Sequence, residues 1–270
     1  MRLDVALVDR SLARSRKHAV ELIEADRVFL DSKIARKAAQ NVTEDSKISV
    51  LESNDYVSRA GHKLAKALDV FGELDPRDKT ALDVGASTGG FTDVLLRRGI
   101  AKVIALDVGH DQLVPELRKN PKVSCIEGFN ARELSPETLA KALGVTVESL
   151  PNIELVVGDL SFISLTLVLE PILKVAPNAE YVLLIKPQFE VGKQSLSANG
   201  LVNDHRLRAF AINQVVDEAI RLGLGIRGLA LSELPGTHGN LEYLLWISKN
   251  EPRNKSQWEN RIAQIAKETK

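Results

Sequence analysis

The chain has 270 residues, 44% hydrophobic and 27% charged, and its 36 Lys and Arg balance 36 Asp and Glu to a formal charge of zero. That length accommodates one α/β domain plus a small module. The neutral balance excludes the global basic field that many nucleic-acid-binding proteins use, so any such surface must be local.

The single cysteine, Cys125, excludes an intramolecular disulfide framework, fits a reducing compartment, and in the apolar run Val123 to Ile126 reads as core. The opening MRLDVALVDR is interrupted by Asp4 and Asp9 and does not read as a secretory signal. No run approaches the ~18 apolar residues of a membrane span, and a soluble cytoplasmic protein is expected. The five histidines are scattered without ligand-like spacing, so no metal site is expected.

Residues 1–52 read as a separate α+β module. Leu3, Leu7 and Leu12 mark one helical stripe, and Ser15 is a plausible N-cap for a helix through Ala25 with Ala19, Leu22 and Ile23 inward. Asp26 then stands where a helix usually ends on glycine, and short strands are expected at Val28 to Leu30 and Ile48 to Val50. Arg10, Arg14, Arg16 and Lys17 cluster without an acid among them, and Lys33, Arg36 and Lys37 form a second group. A charge run is usually a solvated face, but the apolar helical spacing beside this one favours a binding surface. The pattern resembles the small αL RNA-binding domain of a primary-binding ribosomal protein and of several RNA-modifying enzymes. That resemblance implies phosphate contacts from Arg14, Arg16, Lys17, Arg36 and Lys37, hence salt-dependent and mostly shape-directed RNA binding.

Residues 53–60 read as a linker, with Ser58 capping the helix that carries Lys63, Leu64, Lys66, Ala67 and Leu68. The following stretch, ALDVGASTGGF from Ala81 to Phe91, is a strand, a tight turn of small residues and a helix start. Its loop is a weak match to G-x-G-x-x-G, with Ser87 in place of the second glycine. Asp83 would face a pyrophosphate badly, because anions at helix N-termini want donors. Asp107 closes the next apolar run at the spacing where an acid takes ribose hydroxyls. S-adenosylmethionine has that ribose, carries two cationic groups and lacks phosphate. The cofactor set is therefore Asp83, Gly85, Ser87, Thr88, Gly89, Gly90, Phe91 and Asp107, with Asn130 toward the adenine. A bare structural turn, in which the glycines only permit close packing, is the competing reading.

The alternation continues with a helix at Pro115 to Arg118, a strand at Val123 to Glu127, a cap and first turn at Ser135 and Pro136, and a strand at Ile153 to Asp159. A helix over Leu165 to Lys174, a strand over Tyr181 to Lys186 and a patternless Pro187 to Asn203, expected to be a mobile lid, follow. Asp204 caps a helix to Leu222, and strands at Gly225 to Leu231 and Leu241 to Ile247 flank the turn PGTHGN. Residues 61–250 thus read as a seven-stranded, mainly parallel Rossmann-like α/β domain closed by an antiparallel hairpin. In residues 251–270, Trp258, Ile262 and Ile265 at helical spacing predict a tail helix.

Three strand ends offer charged groups to one crevice, Asp159, Lys186 and Glu242, and Lys63 could complete two cations and two anions. Each has a bland reading as a cap, a strand end, an edge residue or a solvated lysine. Together, the segments ARSR, VSRAGHKL, DVGASTGGFT, ALDVG, DLSFISL, IKPQFEVGK and GNLEYLLW resemble the TlyA family of ribosomal-RNA 2′-O-methyltransferases, often labelled hemolysins, whose catalytic domain is of the FtsJ type. The resemblance implies a class I methyltransferase fold, an S-adenosylmethionine donor, cytidine in ribosomal RNA as acceptor, and a catalytic tetrad on Lys63, Asp159, Lys186 and Glu242. The family has shorter forms restricted to the large subunit and longer forms acting on both, and the tail from Trp258 to Ile265 favours the longer kind. Asp26, Asn54 and Asp55 depart from the family pattern. Phe162 is a candidate to stack on the target base. Lys186 fits either a neutral base or a cation steadying an alkoxide, roles that demand opposite pKa shifts. An RNA-binding protein without catalysis and a membrane-damaging protein are the alternatives; the intact tetrad speaks against the first and the lack of an apolar span against the second.

Overall fold

Leu3, Ala6 and Leu7 recur at helical spacing and form the buried face of α1 (Leu3–Asp9). In this computed structural model, which describes residues 1–24, 28–31, 33–43, 45–50, 56–236, 239–252 and 255–268, the chain divides into two units, Met1–Asp55 and Tyr56–Lys270. In the first, α2 (Arg16–Glu24) buries Ala19, Leu22 and Ile23, and the Ser15 hydroxyl accepts from the His18 amide at 3.2 Å. The strands β1 (Val28–Leu30), β2 (Lys33–Ile34) and β3 (Ile48–Val50) form an antiparallel sheet in the order β2-β1-β3. The two residues of β2 are both exposed and too few to show alternation, which hid them in the sequence. The expected departures at Asp26, Asn54 and Asp55 lie outside the described residues.

The second unit alternates helix and strand: α3 (Arg59–Val70), β4 (Thr80–Val84), α4 (Gly90–Arg97), β5 (Lys102–Leu106), α5 (Pro115–Arg118), β6 (Val123–Ile126), α6 (Pro136–Leu143), β7 (Leu155–Gly158), α7 (Leu169–Val175) and β8 (Glu180–Ile185). Then come α8 (Pro187–Glu190), α9 (His205–Arg221), β9 (Gly225–Leu231), β10 (Tyr243–Ser248) and α10 (Ser256–Lys267). The seven strands lie in the order β6-β5-β4-β7-β8-β10-β9. β4 to β8 pair in parallel, and β10 is antiparallel to both its neighbours. Alternate residues face opposite layers. Leu82, Val84, Val156 and Leu183 pack against helices α7, α9 and α10, whereas Ala81, Val103, Val157 and Val182 pack against α3, α4 and α5.

Two consequences of this topology place the site. The strand order reverses between the parallel neighbours β4 and β7, so the loop after β4 opens into a crevice at a topological switch point. Because β10 is antiparallel, its first residues lie at the carboxyl edge of the parallel strands: Tyr243 pairs with Ile185, which puts Glu242 beside Lys186.

Several expectations needed correction. Ser58 occupies the N-cap position of α3 but makes no capping bond with its side chain; it is instead packed against Gly90. The single helix expected over Leu165 to Lys174 splits into a 3-10 turn, Leu165–Leu167, and α7, with Pro171 in the first turn of α7 where a missing N–H costs nothing. Pro187 to Asn203 is not patternless: α8 and a 3-10 turn at Lys193–Ser195 interrupt it, and Val191 and Val202 are buried with Ala211. Cys125 is half-buried, packed against the edge of the core, and desolvation raises its thiol pKa.

Candidate active site

The loop between β4 and α4 is built by backbone geometry that its residues dictate. Gly85 has φ +82°, and a Cβ there would lie 3.2 Å from the Asp159 carbonyl oxygen, so the loop runs hard against the end of β7. Ser87 also adopts positive φ, +47°, and its amide donates to Asp107 Oδ2 at 2.8 Å. Asp107 Oδ1 accepts from the Gly109 amide at 2.7 Å. A carboxylate offers about four lone-pair sites, so Asp107 ties two loops together and keeps acceptor capacity.

That capacity faces a cavity of about 510 Å³ lined by Gly85, Ser87, Asp107, Asn130, Asp159 and Phe162 among others. Asn130 spends its side-chain oxygen on the Arg132 amide at 3.1 Å, leaving its NH₂ group as a donor. A second cavity, about 290 Å³, shares Gly85, Ser87, Asp159 and Ser161 with the first and adds Thr88, Phe91, Lys63, Lys186 and Glu242. Six of the nine residues assigned to a cofactor, Gly85, Ser87, Thr88, Phe91, Asp107 and Asn130, therefore line one or both cavities, and Asp83 lies buried beneath the loop. Gly89 and Gly90 border neither cavity. Their missing side chains face Leu113 and Leu117, and Ser58 and Gly61, respectively, which makes them packing residues that let α4 meet α3 and α5.

Asp83 is fully buried, and its Oδ2 accepts from the Thr92 hydroxyl at 2.6 Å. Its Oδ1 has no hydrogen-bond partner. Desolvation pushes its pKa up to about 7, against the Thr92 hydrogen bond and with help from the carboxylates of Asp159 and Asp107. Three acids around one glycine-rich turn disfavour a pyrophosphate and suit a cationic adenosine cofactor. The donor and acceptor set fits S-adenosylmethionine.

The tetrad assembles beside this loop. α3 packs on α4 through Gly61, where a Cβ would lie 3.0 Å from the Gly90 carbonyl oxygen. This close approach brings Lys63 Nζ to 2.6 Å from Glu242 Oε2 and 4.0 Å from Asp159 Oδ2. Lys186 Nζ lies 2.8 Å from the Ser161 hydroxyl, to which it donates, and 2.7 Å from Asp159 Oδ1. The latter is a close ion pair, and with two lone pairs Oδ1 keeps acceptor capacity beside it. All four side chains are at most 13% exposed, a depth at which charges persist only when paired. Burial raises the pKa of Glu242, opposed chiefly by the positive charge and hydrogen bond of Lys63. Ser161 was not singled out in the sequence; a small polar residue two places after a strand-end acid carries no periodic signal.

Phe162 stands 92% exposed, with φ +65°, at the mouth of the larger cavity. In the first unit, Arg14, Lys17, Arg36 and Lys37 are exposed. Arg16 is exposed too, but with Arg2 it also pairs to the buried Asp4, each at 2.9 Å, and hydrogen bonds from Arg2 and then Arg16 hold that carboxyl well below the usual range. Among the described residues no group of His, Cys, Asp and Glu is arranged to hold a metal, and no helix is long and apolar enough to cross a membrane.

Comparison with known proteins agrees with this architecture. Residues 56–249 match the FtsJ-like methyltransferase family, and residues 1–48 match the S4 domain. The 16S/23S rRNA (cytidine-2′-O)-methyltransferase TlyA of Mycobacterium tuberculosis is 44% identical over 255 residues, covering 93% of this chain and 91% of the relative. The 23S rRNA (cytidine-2′-O)-methyltransferase TlyA of Campylobacter jejuni is 34% identical over 270 residues, covering 93% and 100%. A solved structure from Streptococcus thermophilus, named as a hemolysin, superposes with a TM-score of 0.74 at 32% identity, covering 98% of this chain and 94% of that one. The chain belongs to the TlyA family, an FtsJ-like methyltransferase domain preceded by an S4 domain.

Proposed function

We propose that this protein transfers a methyl group from S-adenosylmethionine to the ribose 2′-hydroxyl of a cytidine in ribosomal RNA. The observation that carries the reading is the buried set of two lysines and two carboxylates sharing Gly85, Ser87 and Asp159 with the adenosine-sized cavity.

When bound, S-adenosylmethionine supplies an electrophilic methyl group on a sulfonium. Asp107 and Asn130 would hold its ribose and adenine, and Asp83, with its unpartnered Oδ1, supplies negative potential beneath the loop. A ribose hydroxyl is a weak nucleophile, and positioning it in line contributes roughly 7–11 kcal/mol. Lys186 Nζ, fixed by Ser161 and Asp159, donates to the acceptor oxygen and steadies the charge that develops there. Asp159 Oδ1, ion-paired with Lys186 at 2.7 Å, has a second lone pair that can receive the hydroxyl proton. Lys63 and Lys186 together balance Asp159 and Glu242, so the four buried charges sum to zero. Phe162 offers a face to the extruded base.

Exposed Arg14, Lys17, Arg36 and Lys37 of the S4 domain hold the ribosomal RNA by its phosphates, and a cytoplasmic location belongs to the same reading. The test is to incubate purified protein with tritiated S-adenosylmethionine and, separately, large and small ribosomal subunits, then digest the RNA to nucleosides. Label in 2′-O-methylcytidine from the large subunit is expected; label confined to base-methylated nucleosides, or none in either subunit, overturns the reading.

A further inference from the structure

The loop that follows β7, residues 159–165, is stitched to the segment that follows β8 at both of its ends. Upstream of Phe162, Lys186 joins Asp159 Oδ1 at 2.7 Å and the Ser161 hydroxyl at 2.8 Å. Downstream, Glu190 accepts from the Ser164 hydroxyl through Oε2 and from the Leu165 amide at 2.9 Å through Oε1. Lys186 is the N-cap of α8 and Glu190 its last residue, so one four-residue helix grips the loop on both sides of Phe162.

What the grip holds is unfavourable by itself. Phe162 sits in left-handed backbone, φ +65°, a conformation rarely adopted by a bulky residue, and the residue is 92% exposed. Neither feature serves the core. The ring lies 5.3 Å from that of Phe189, at 47°, and Phe189 in turn lies 5.8 Å from Lys186 Nζ. A carboxylate 9% exposed with no cation among its described partners is also costly, which burial registers by raising the Glu190 pKa. A buried charge spent on two donors of one loop makes sense where the loop's position matters.

We propose that Glu190 is a positioning residue that holds Phe162 and Phe189 as a two-ring platform for the acceptor base, in fixed register with Lys186. This rests on the reading of the protein as an RNA ribose methyltransferase. The two rings are tilted, not stacked on each other, so a base leaning on Phe162 meets the edge or face of Phe189 and its ribose is kept on the Lys186 side. Ser164, whose hydroxyl also accepts from the Thr166 amide at 3.2 Å, transmits the tie.

The test is a double-mutant cycle read in single-turnover transfer to ribosomal subunits, with S-adenosylmethionine affinity and melting temperature measured on every variant. Phe162→Ala and Glu190→Ala should each slow transfer by about 5- to 150-fold, the range for one lost base stack, with the effect in RNA KM and rate and not in cofactor affinity. Combined, they should slow it no more than Phe162→Ala alone. Glu190→Gln, which can accept from Leu165 and donate to Ser164, should restore most of the rate, and Ser164→Ala should show part of the loss if Glu190→Ala fails to fold. Additive losses in the double variant, or an unchanged rate in Glu190→Ala and Ser164→Ala, overturn the role of Glu190. Absence of methyl transfer by the wild-type protein while cofactor binding is intact overturns the underlying function instead.

Discussion

Glu242 Oε2 and Lys63 Nζ meet at 2.6 Å across 179 residues of sequence, one at the start of the only antiparallel strand among the described strands of the large sheet and the other on the first helix of that unit. The pair is buried, so each partner depends on the other. Replacing Glu242 with Gln should destabilise the protein, by up to about 3–5 kcal/mol, and leave Lys63 with Asp159 alone. The carboxylate form is the one that pairs, and burial raises its pKa. Transfer by the wild type should therefore fall as pH drops through that raised pKa, a limb that begins above the ordinary carboxylate range. A pH–rate profile in which Glu242→Gln retains the same acid limb would assign the limb elsewhere.

Asp83 makes a distinct pH prediction. Its pKa of about 7 lies above that of an unfolded aspartate, so between roughly pH 4 and 7 the native state holds a proton that the unfolded chain has lost, and stability falls as pH rises through this window. Asp83→Asn, which can still accept from Thr92, should raise the melting temperature of the cofactor-free protein at pH 8 far more than at pH 5, while weakening S-adenosylmethionine binding. An equal change at both pH values would contradict the assignment.

Gly85 in the loop and Gly90 at the start of α4 should fail differently. Gly85→Ala strains a positive-φ turn at the shared wall of both cavities and should lower cofactor affinity. In Gly90→Ala the new Cβ would fall 2.3 Å from Ser58 Oγ and 2.8 Å from the Gly61 amide. That overpacking should cost about 1–3 kcal/mol of stability, measured by denaturant unfolding, with cofactor affinity at permissive temperature little changed. Equal loss of affinity in both variants would refute the division of labour.

The contrast between these glycines also shows what a linear sequence conveys. Ala81 to Phe91 was legible as strand, turn and helix because apolar runs and small residues mark them locally, and Asp107 was legible from its spacing. Which glycines line a cavity was not, because Gly89 and Gly90 are defined by side chains of α3 and α5 that reach them only after folding. Asp159, Lys186 and Glu242 were legible from strand ends because residues at the carboxyl edge of a parallel sheet converge by topology, whereas Lys63, on helix α3, joined them as a tetrad through the family resemblance. Arg16 looked like its neighbours Arg14 and Lys17 until its partner Asp4, twelve residues upstream, was placed against it. The short helix α8 was hidden by Pro187 and by a length of four residues.

The S4 domain should bind RNA in proportion to its exposed cations. Lys17→Ala and Lys37→Ala should each reduce the salt slope of ribosomal-RNA affinity by about one and leave stability alone. Arg16→Ala should behave otherwise, lowering the melting temperature because Asp4 is left buried with Arg2 alone. If Lys17→Ala and Lys37→Ala leave the slope unchanged, the phosphate surface lies elsewhere.

The role of Lys186 decides the catalytic reading, and one assay reaches it: single-turnover transfer from tritiated S-adenosylmethionine to ribosomal subunits by Lys186→Ala, with cofactor binding measured in parallel. Loss of 2′-O-methylcytidine formation by at least about 10²-fold with cofactor binding retained is expected. A transfer rate equal to that of the wild type would show that Lys186 neither holds the acceptor hydroxyl nor steadies its charge.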